Sequence, residues 1–178
     1  MHLDKLATFA LRRKCKLEGW ASVYMYPKNK VKVSKEAAIH VTNGLMTISR
    51  SWFEADATAP CVFEMESGSR LECNGNFDFV RGSKCVIKDG ATLCLGDGGR
   101  IGKGSELQCN HEISIGTHCW ISDNVTISDT GKLIIEDGVW IGNGATILGN
   151  LRIGKNAVIG EGVTVREDVE ERSVLTVK

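Results

Sequence analysis

The strongest constraint on this 178-residue chain is a six-residue period running from Cys109 to Val169. Set in sixes, its last part reads Ile135-EDGVW, Ile141-GNGAT, Ile147-LGNLR, Ile153-GKNAV, Ile159-GEGVT and Val165-REDVE. Every block opens on Ile or Val, and the fifth place holds Val139, Ala145, Leu151, Ala157, Val163 and Val169. The preceding text keeps the register as Cys109-NHEIS, Ile115-GTHCW, Ile121-SDNVT and Ile127-SDTGK. A short fixed period of this kind marks a solenoid, in which each repeat covers the apolar face of its neighbour.

Six is not a helical period. The first and fifth places share a parity, so within a block both point to one side of an extended strand. The Gly, Asn and Asp residues between them suit corners. Three strands and three corners then make a triangular coil of about eighteen residues, and coils stack by parallel pairing at roughly 4.8 Å. A doubly wound α/β fold would need helical stretches between strands, and the period leaves no room for them. Between Ile127 and Ile135 the spacing is eight, which predicts that two residues leave the coil there.

Residues 1–30 read as an N-terminal capping segment and 31–178 as the β-helix domain. A short helix within residues 1–16 would place Leu3, Leu6, Ala7, Ala10 and Leu11 on one face, to cover the open first coil. Arg12, Arg13, Lys14 and Lys16 follow, and a weak peripheral membrane contact is the alternative use of that basic segment. From Val33 to Val80 the repeat is imperfect. Val33 and Ile39 keep the frame, Trp52–Pro60 reads as a corner or excursion, and residues 70–79 alternate like a strand. Eight-residue gaps recur up to Gly104, and about seven coils are expected in all.

Composition narrows the function. Lys+Arg and Asp+Glu balance at 22 each, so no basic field argues for nucleic acid. Seven Cys with no Cys-x-x-Cys pair read as reduced, buried thiols of a cytoplasmic protein, Cys109 and Cys119 facing inward, and no ligand spacing supports a metal site. Neither a signal peptide nor a membrane span is legible, since the uncharged run Leu6–Leu11 is too short for either.

At the lines Asn124-VTISD, Val139-WIGNGATIL and Ile153-GKNAVIGEGVTV the chain resembles the left-handed β-helix, hexapeptide-repeat acyltransferases, bacterial sugar and polysaccharide O-acetyltransferases above all. That resemblance spans residues 101–175 strongly and 31–100 weakly, and the first thirty not at all. It implies an all-β, left-handed parallel β-helix and a homotrimer. Acetyl-CoA would be the co-substrate in a groove between subunits, and a sugar or polysaccharide hydroxyl the acceptor, attacking the thioester with a histidine as base. It also implies that Asn143 and Glu161 lie at coenzyme A contacts, with Arg166 near a basic contact that could pair with a phosphate. Relatives usually carry a small residue at the Glu161 place, and they continue past the line matching Ser173-VLTVK with a Gly-x-Pro-Ala-Lys-like segment. Relatives also follow the Asn124 line with a His and a longer loop. Here the text is Asp129-TGKLII, and Lys132 occupies the place nearest that His. A lysine base needs its pKa brought down from about 10.4 toward 7–8.

Stacking supplies further candidates. His111 and Asp129 are both third in their blocks and eighteen apart, so they should meet on adjacent coils. A carboxylate beside an imidazole fixes its tautomer and stabilises its protonated form; a surface ladder pair without catalysis gives the same spacing. Trp120 and Trp140 share an outward column, as a trimer contact or as a wall for pantetheine. Gly142 and Gly160 form one column and Gly144 and Gly162 another, which would either admit a ligand to the backbone or merely shape the corners. His118 has no evident partner, and His2 and His40 lie outside the regular region. A catalytically degenerate trimer with a structural or binding role is the alternative to the transferase. A zinc enzyme like the γ-class carbonic anhydrases needs two of its three His five apart, which His111 and His118 are not.

Overall fold

The computed structural model describes residues 3–27, 29–50 and 59–177. Among them are 22 strands and one helix, α1 (Lys5–Arg12). Every third strand falls in the same sheet, giving parallel sheets of seven, eight and seven strands. The result is a left-handed parallel β-helix of three walls with a helical N-terminal cap. Seven sets of three strands are described, and Val169, bridged to Ile153, with Val174–Leu175, paired to Val158 and Ile159, starts an eighth.

The period explains this fold residue by residue. All twelve first- and fifth-place side chains from Ile135 to Val169 are buried, each at 7% exposure or less. The coils are uneven at first, the step from Val41 to Cys73 taking 32 residues, and shorten toward the C-terminal end. Leu17 pairs with Val41, so the first step takes 24 residues, whereas Ile135 pairs with Ile153, a step of 18. Phe63, Phe77 and Phe79 fill the wider N-terminal coils, with ring centroids 5.4–5.5 Å apart, and Ile, Val and Ala suffice further on. Aliphatic stacking within a closely packed interior is the main stabilising contribution.

Several expectations change. The two residues between Ile127 and Ile135 do not leave the coil. They lengthen the first-sheet strand, which is Lys132–Ile135 here and Glu112–Ile115 above, but only Arg152–Ile153 where the spacing returns to six. Residues 70–79 form two strands on different walls, Arg70–Asn74 and Phe77–Val80, because Gly75 turns the corner at φ +106. Of the Trp52–Pro60 excursion, residues 52–58 lie outside the described residues. The β-helix starts at Cys15–Glu18, inside the stretch assigned to the cap.

The cap itself is α1, N-capped by Asp4, whose carboxylate accepts the Ala7 N–H at 3.0 Å. Of the expected face, Leu11 is buried and Ala7 packs against the core, while Leu6 is 84% exposed and Thr8 is buried in its place, so the helix meets the coil on one margin of that face. Thr8 decides this. Its hydroxyl accepts the Met25 N–H at 2.9 Å and donates to the Met25 carbonyl at 3.3 Å, satisfying the open edge of the first coil.

Second-place glycines are set by crowding. A Cβ on Gly142 would stand 2.8 Å from the Glu161 nitrogen of the next coil, while Gly144 has open space but a φ of +65. Ile141→Ala should therefore cost about 2–5 kcal/mol, and Gly144→Ala about 1–2 kcal/mol from the left-handed backbone alone. Gly142→Ala should exceed Gly144→Ala. Urea midpoints of the three variants check the order.

Candidate functional site

The edge joining the third wall to the first carries His111, Asp129 and Lys132. His111 Nδ1 lies 3.1 Å from Asp129 Oδ2, with the imidazole 63% exposed and the carboxylate fully buried. The structure thus brings the two together. It also gives Asp129 other work: its carboxylate accepts the N–H groups of Asn110 at 2.5 Å, His111 at 2.8 Å and Glu112 at 3.3 Å. Neighbouring corners repeat this contact. Asp97 accepts from Asn76, Asp123 from Lys103, Asp137 from Thr117 and Asp168 from Arg152, each at 2.6–2.9 Å. Those backbone bonds hold the Asp97 and Asp137 carboxyls below the usual carboxylate range. Asp129 is a member of the same ladder, distinguished by the imidazole beside it.

Lys132 fails the condition set for a base. Its ammonium pairs with Glu112 at 2.8 Å in an exposed position, which pushes its pKa up, the opposite of what proton abstraction requires.

The residues marked for the cofactor lie mostly on the edge between the second and third walls. Trp140 points outward from the second wall, its indole N–H donating to the Ser122 hydroxyl at 3.3 Å. Asn143 Oδ1 accepts the Asp123 N–H at 3.2 Å, one more rung of the corner ladder. Gly142 and Gly160 sit where the next coil leaves no room for a Cβ, and Gly144 and Gly162 are left-handed, so the fold alone accounts for all four glycines. The Glu161 and Arg166 side chains are exposed and have no hydrogen-bond or ion-pair partner among the described residues. Arg166 is separated from the others, beyond the strand Thr164–Val165 on the edge that holds His111.

Comparison with known proteins fits this architecture. Residues 132–167 match the family model described as bacterial transferase hexapeptide (six repeats). The chain is similar there to the hexapeptide-repeat family, whose fold is the left-handed β-helix seen here. The galactoside O-acetyltransferase of Lactococcus lactis is 36% identical over 80 residues, which are 35% of this chain and 38% of that protein. Three curated relatives are spanned over only 20%, 38% and 27% of their own length. Among solved structures, the polysialic acid O-acetyltransferase OatWY superposes with a TM-score of 0.57 at 16% identity, over 92% of this chain and 91% of that one. A variant of AntD, an N-acyltransferase from Bacillus cereus in complex with dTDP-4-amino-4,6-dideoxyglucose and coenzyme A, gives 0.53 at 12% identity, over 97% and 84%. Identities this low speak to the shared fold.

Within this hexapeptide-repeat chain three features escaped the period. His118 sits at a corner with φ +54, in a column otherwise turned by Gly98, Gly138 and Asn156. Its ring lies over Gly98, where a Cβ would stand 3.0 Å from it. His40 is in register too, its Nδ1 3.0 Å from Glu72 and its Nε2 3.3 Å from Glu18. The third is a groove of about 580 Å³ on the second wall, with Arg50, Asp78, Arg100 and Trp120 in its lining. Among the described residues no cysteine lines it. Cys61, Cys73, Cys85, Cys109 and Cys119 are buried, and burial pushes the Cys73 and Cys109 thiols up to about 12 and Cys119 to about 11. Among the described residues no cluster of His, Cys, Asp and Glu is placed to hold a metal ion.

The double duty of Asp129 can be separated from His111 by stability. Asp129→Ala leaves three corner N–H groups without their acceptor and should cost about 1–3 kcal/mol, while His111→Ala, on an exposed ring, should stay within about 0.5 kcal/mol of the parent. Chemical denaturation of both variants measures it; equal effects would show that the imidazole is part of the corner.

Proposed function

We propose that this protein transfers an acyl group, acetyl in the first instance, from acyl-CoA to a hydroxyl of a sugar or polysaccharide unit. The observation that carries this reading is the exposed His111 imidazole held by the buried Asp129 carboxylate on a hexapeptide-repeat β-helix. With Nδ1–H donated to Asp129, Nε2 is the nitrogen left to take a proton. It would remove the acceptor hydroxyl proton as that oxygen attacks the thioester carbonyl. When the tetrahedral adduct collapses, the C–S bond breaks and the imidazolium returns the proton to the departing thiolate. Asp129 stabilises the imidazolium between the two steps.

Acetyl-CoA would run along the opposite edge of the third wall, past Trp140, Gly142, Asn143, Gly160, Glu161 and Gly162. The strands between the two edges are three residues long, Thr126–Ser128 and Thr146–Leu148, so roughly 10 Å of wall separates them. A thioester laid across that wall would reach His111, with Arg166 on the far edge available to an anionic group. The names of the relatives support both substrates, since AntD carries coenzyme A and OatWY and the Lactococcus enzyme act on saccharides. Trp120 and Trp140, 52% and 53% exposed in one column, support association of copies through the second wall, as a homotrimer.

A non-catalytic scaffold is the second reading, and two observations favour it: Asp129 has a structural role without His111, and Glu161 presents a carboxylate where an anionic cofactor would lie. Titration calorimetry with acetyl-CoA against CoA, followed by a saccharide panel, decides between them. Micromolar binding is expected, and His111→Asn should lower kcat about 10²–10⁴-fold with KM for acetyl-CoA little changed. Neither binding nor transfer to any saccharide would leave the scaffold.

A further inference from the structure

We infer that the first end of the β-helix docks on an anionic lipid surface through the outward face of α1. At about 100° per residue, Arg12, Lys5, Phe9, Arg13, Leu6 and Ala10 fall within about 160° of the helix circumference, and all six are exposed. Ala7, Thr8 and Leu11 occupy the opposite arc, against the first coil. The face left outward therefore sets two large apolar side chains, Leu6 at 84% exposure and Phe9 at 64%, among three cations.

The basic segment does not act as one unit. Lys14 Nζ donates to the Val33 carbonyl at 2.7 Å and Lys16 pairs with Glu18 at 2.7 Å, so both are engaged at the first coil. The Lys5, Arg12 and Arg13 side chains have no ion-pair or hydrogen-bond partner among the described residues; Arg13 lies over Phe9, 5.9 Å from the ring centroid. Residues 1–16 hold five of the 22 basic residues and a single Asp, whereas residues 161–172, at the other end, hold five carboxylates and two arginines. A chain with no net charge is thus polarised along its axis, and a negative surface attracts one end and repels the other.

The apolar residues decide which kind of negative surface fits. A shallow groove of about 560 Å³ beside α1 is lined by Phe9, Arg12 and Arg13 from the helix and by Leu17 and Tyr24 from the coil. An anion confined to that groove would leave Leu6, which does not line it, in water. A lipid layer meets the whole face at once, with headgroup phosphates against the cations and the Leu6 and Phe9 side chains below them. The helix is eight residues long, so two such side chains give a weak contact that needs the charges as well. Docking by this end leaves the three walls free, and the His111 edge stands four coil steps, roughly 19 Å, away from it. The contact rests on no part of the transferase reading.

Co-sedimentation of the full chain with vesicles tests it, using phosphatidylcholine alone or with about one-third phosphatidylglycerol. Partition into the anionic vesicles should be at least about tenfold stronger and should fall with added salt. Arg12→Gln with Arg13→Gln should weaken it about 25-fold, whereas Arg12→Lys with Arg13→Lys should retain it. Leu6→Ser with Phe9→Ser should weaken it about tenfold, and Lys155→Gln, which removes a cation paired with Asp137 on a distant coil, should leave it unchanged. Equal partition into both vesicles, partition into neither, or losses no larger in the α1 variants than in Lys155→Gln would overturn the proposal. So would self-association of the parent without lipid that Arg12→Gln with Arg13→Gln abolishes, which would assign this end to the acidic end of a second copy. Acetyl transfer by a protein that ignores both vesicles would overturn the docking and leave the transferase standing.

Discussion

Everything in this protein depends on one coil covering the apolar residues of the next. No single coil has an interior of its own; Ile141 is buried only because Ile121 and Ile159 pair above and below it. Removal of apolar surface from water is thus shared along the whole stack, and it leaves two ends to be covered. At the first end α1 does this with Leu11 and with Thr8, whose hydroxyl occupies hydrogen-bonding groups of Met25 that a further coil would otherwise take. The requirement at that end is polar as well as apolar, which is why Thr8 is buried beside Leu11 while Leu6 stays exposed.

Corners answer a second requirement, the pairing of N–H groups that leave the sheets. The chain meets it with a carboxylate or amide of the next coil placed beneath the N–H, as with Asp97, Asp123, Asp137, Asn143, Asn150 and Asp168. Glycine serves the same corners in two distinct ways, by omitting a Cβ where the next coil crowds it and by accepting positive φ where the chain reverses. Glycine columns in such a repeat are consequently poor evidence for a ligand, since both uses arise before any ligand is considered.

The walls are legible from sequence because the period itself is the cause of the fold. Aliphatic residues at the first and fifth places determine which way every side chain in the regular region points. The two-residue slip before Ile135 misleads because spacing counts residues without saying whether they lengthen a strand or a loop. His111 and Asp129 are found from a separation of eighteen although the backbone register there is twenty. The corner carboxylate reaches back by two residues, and the two departures cancel. The groove cannot be found this way. Arg50, Asp78 and Arg100 come from coils whose lengths differ, so no constant spacing connects them, and His40 with Glu18 and Glu72 is hidden for the same reason.

A functional residue in a solenoid must be added to a position that already has a structural task, and the His111 corner illustrates the consequence. The carboxylate beneath it would be required with or without an imidazole, as the other corners demonstrate. Loss of activity on changing Asp129 would therefore mix the chemistry with the stability of the coil. His111 is free of that ambiguity, because its exposed ring carries no part of the corner's hydrogen bonding beyond the one bond to Asp129. Chemistry at this edge is consequently reported by the imidazole, and the carboxylate reports first on the fold.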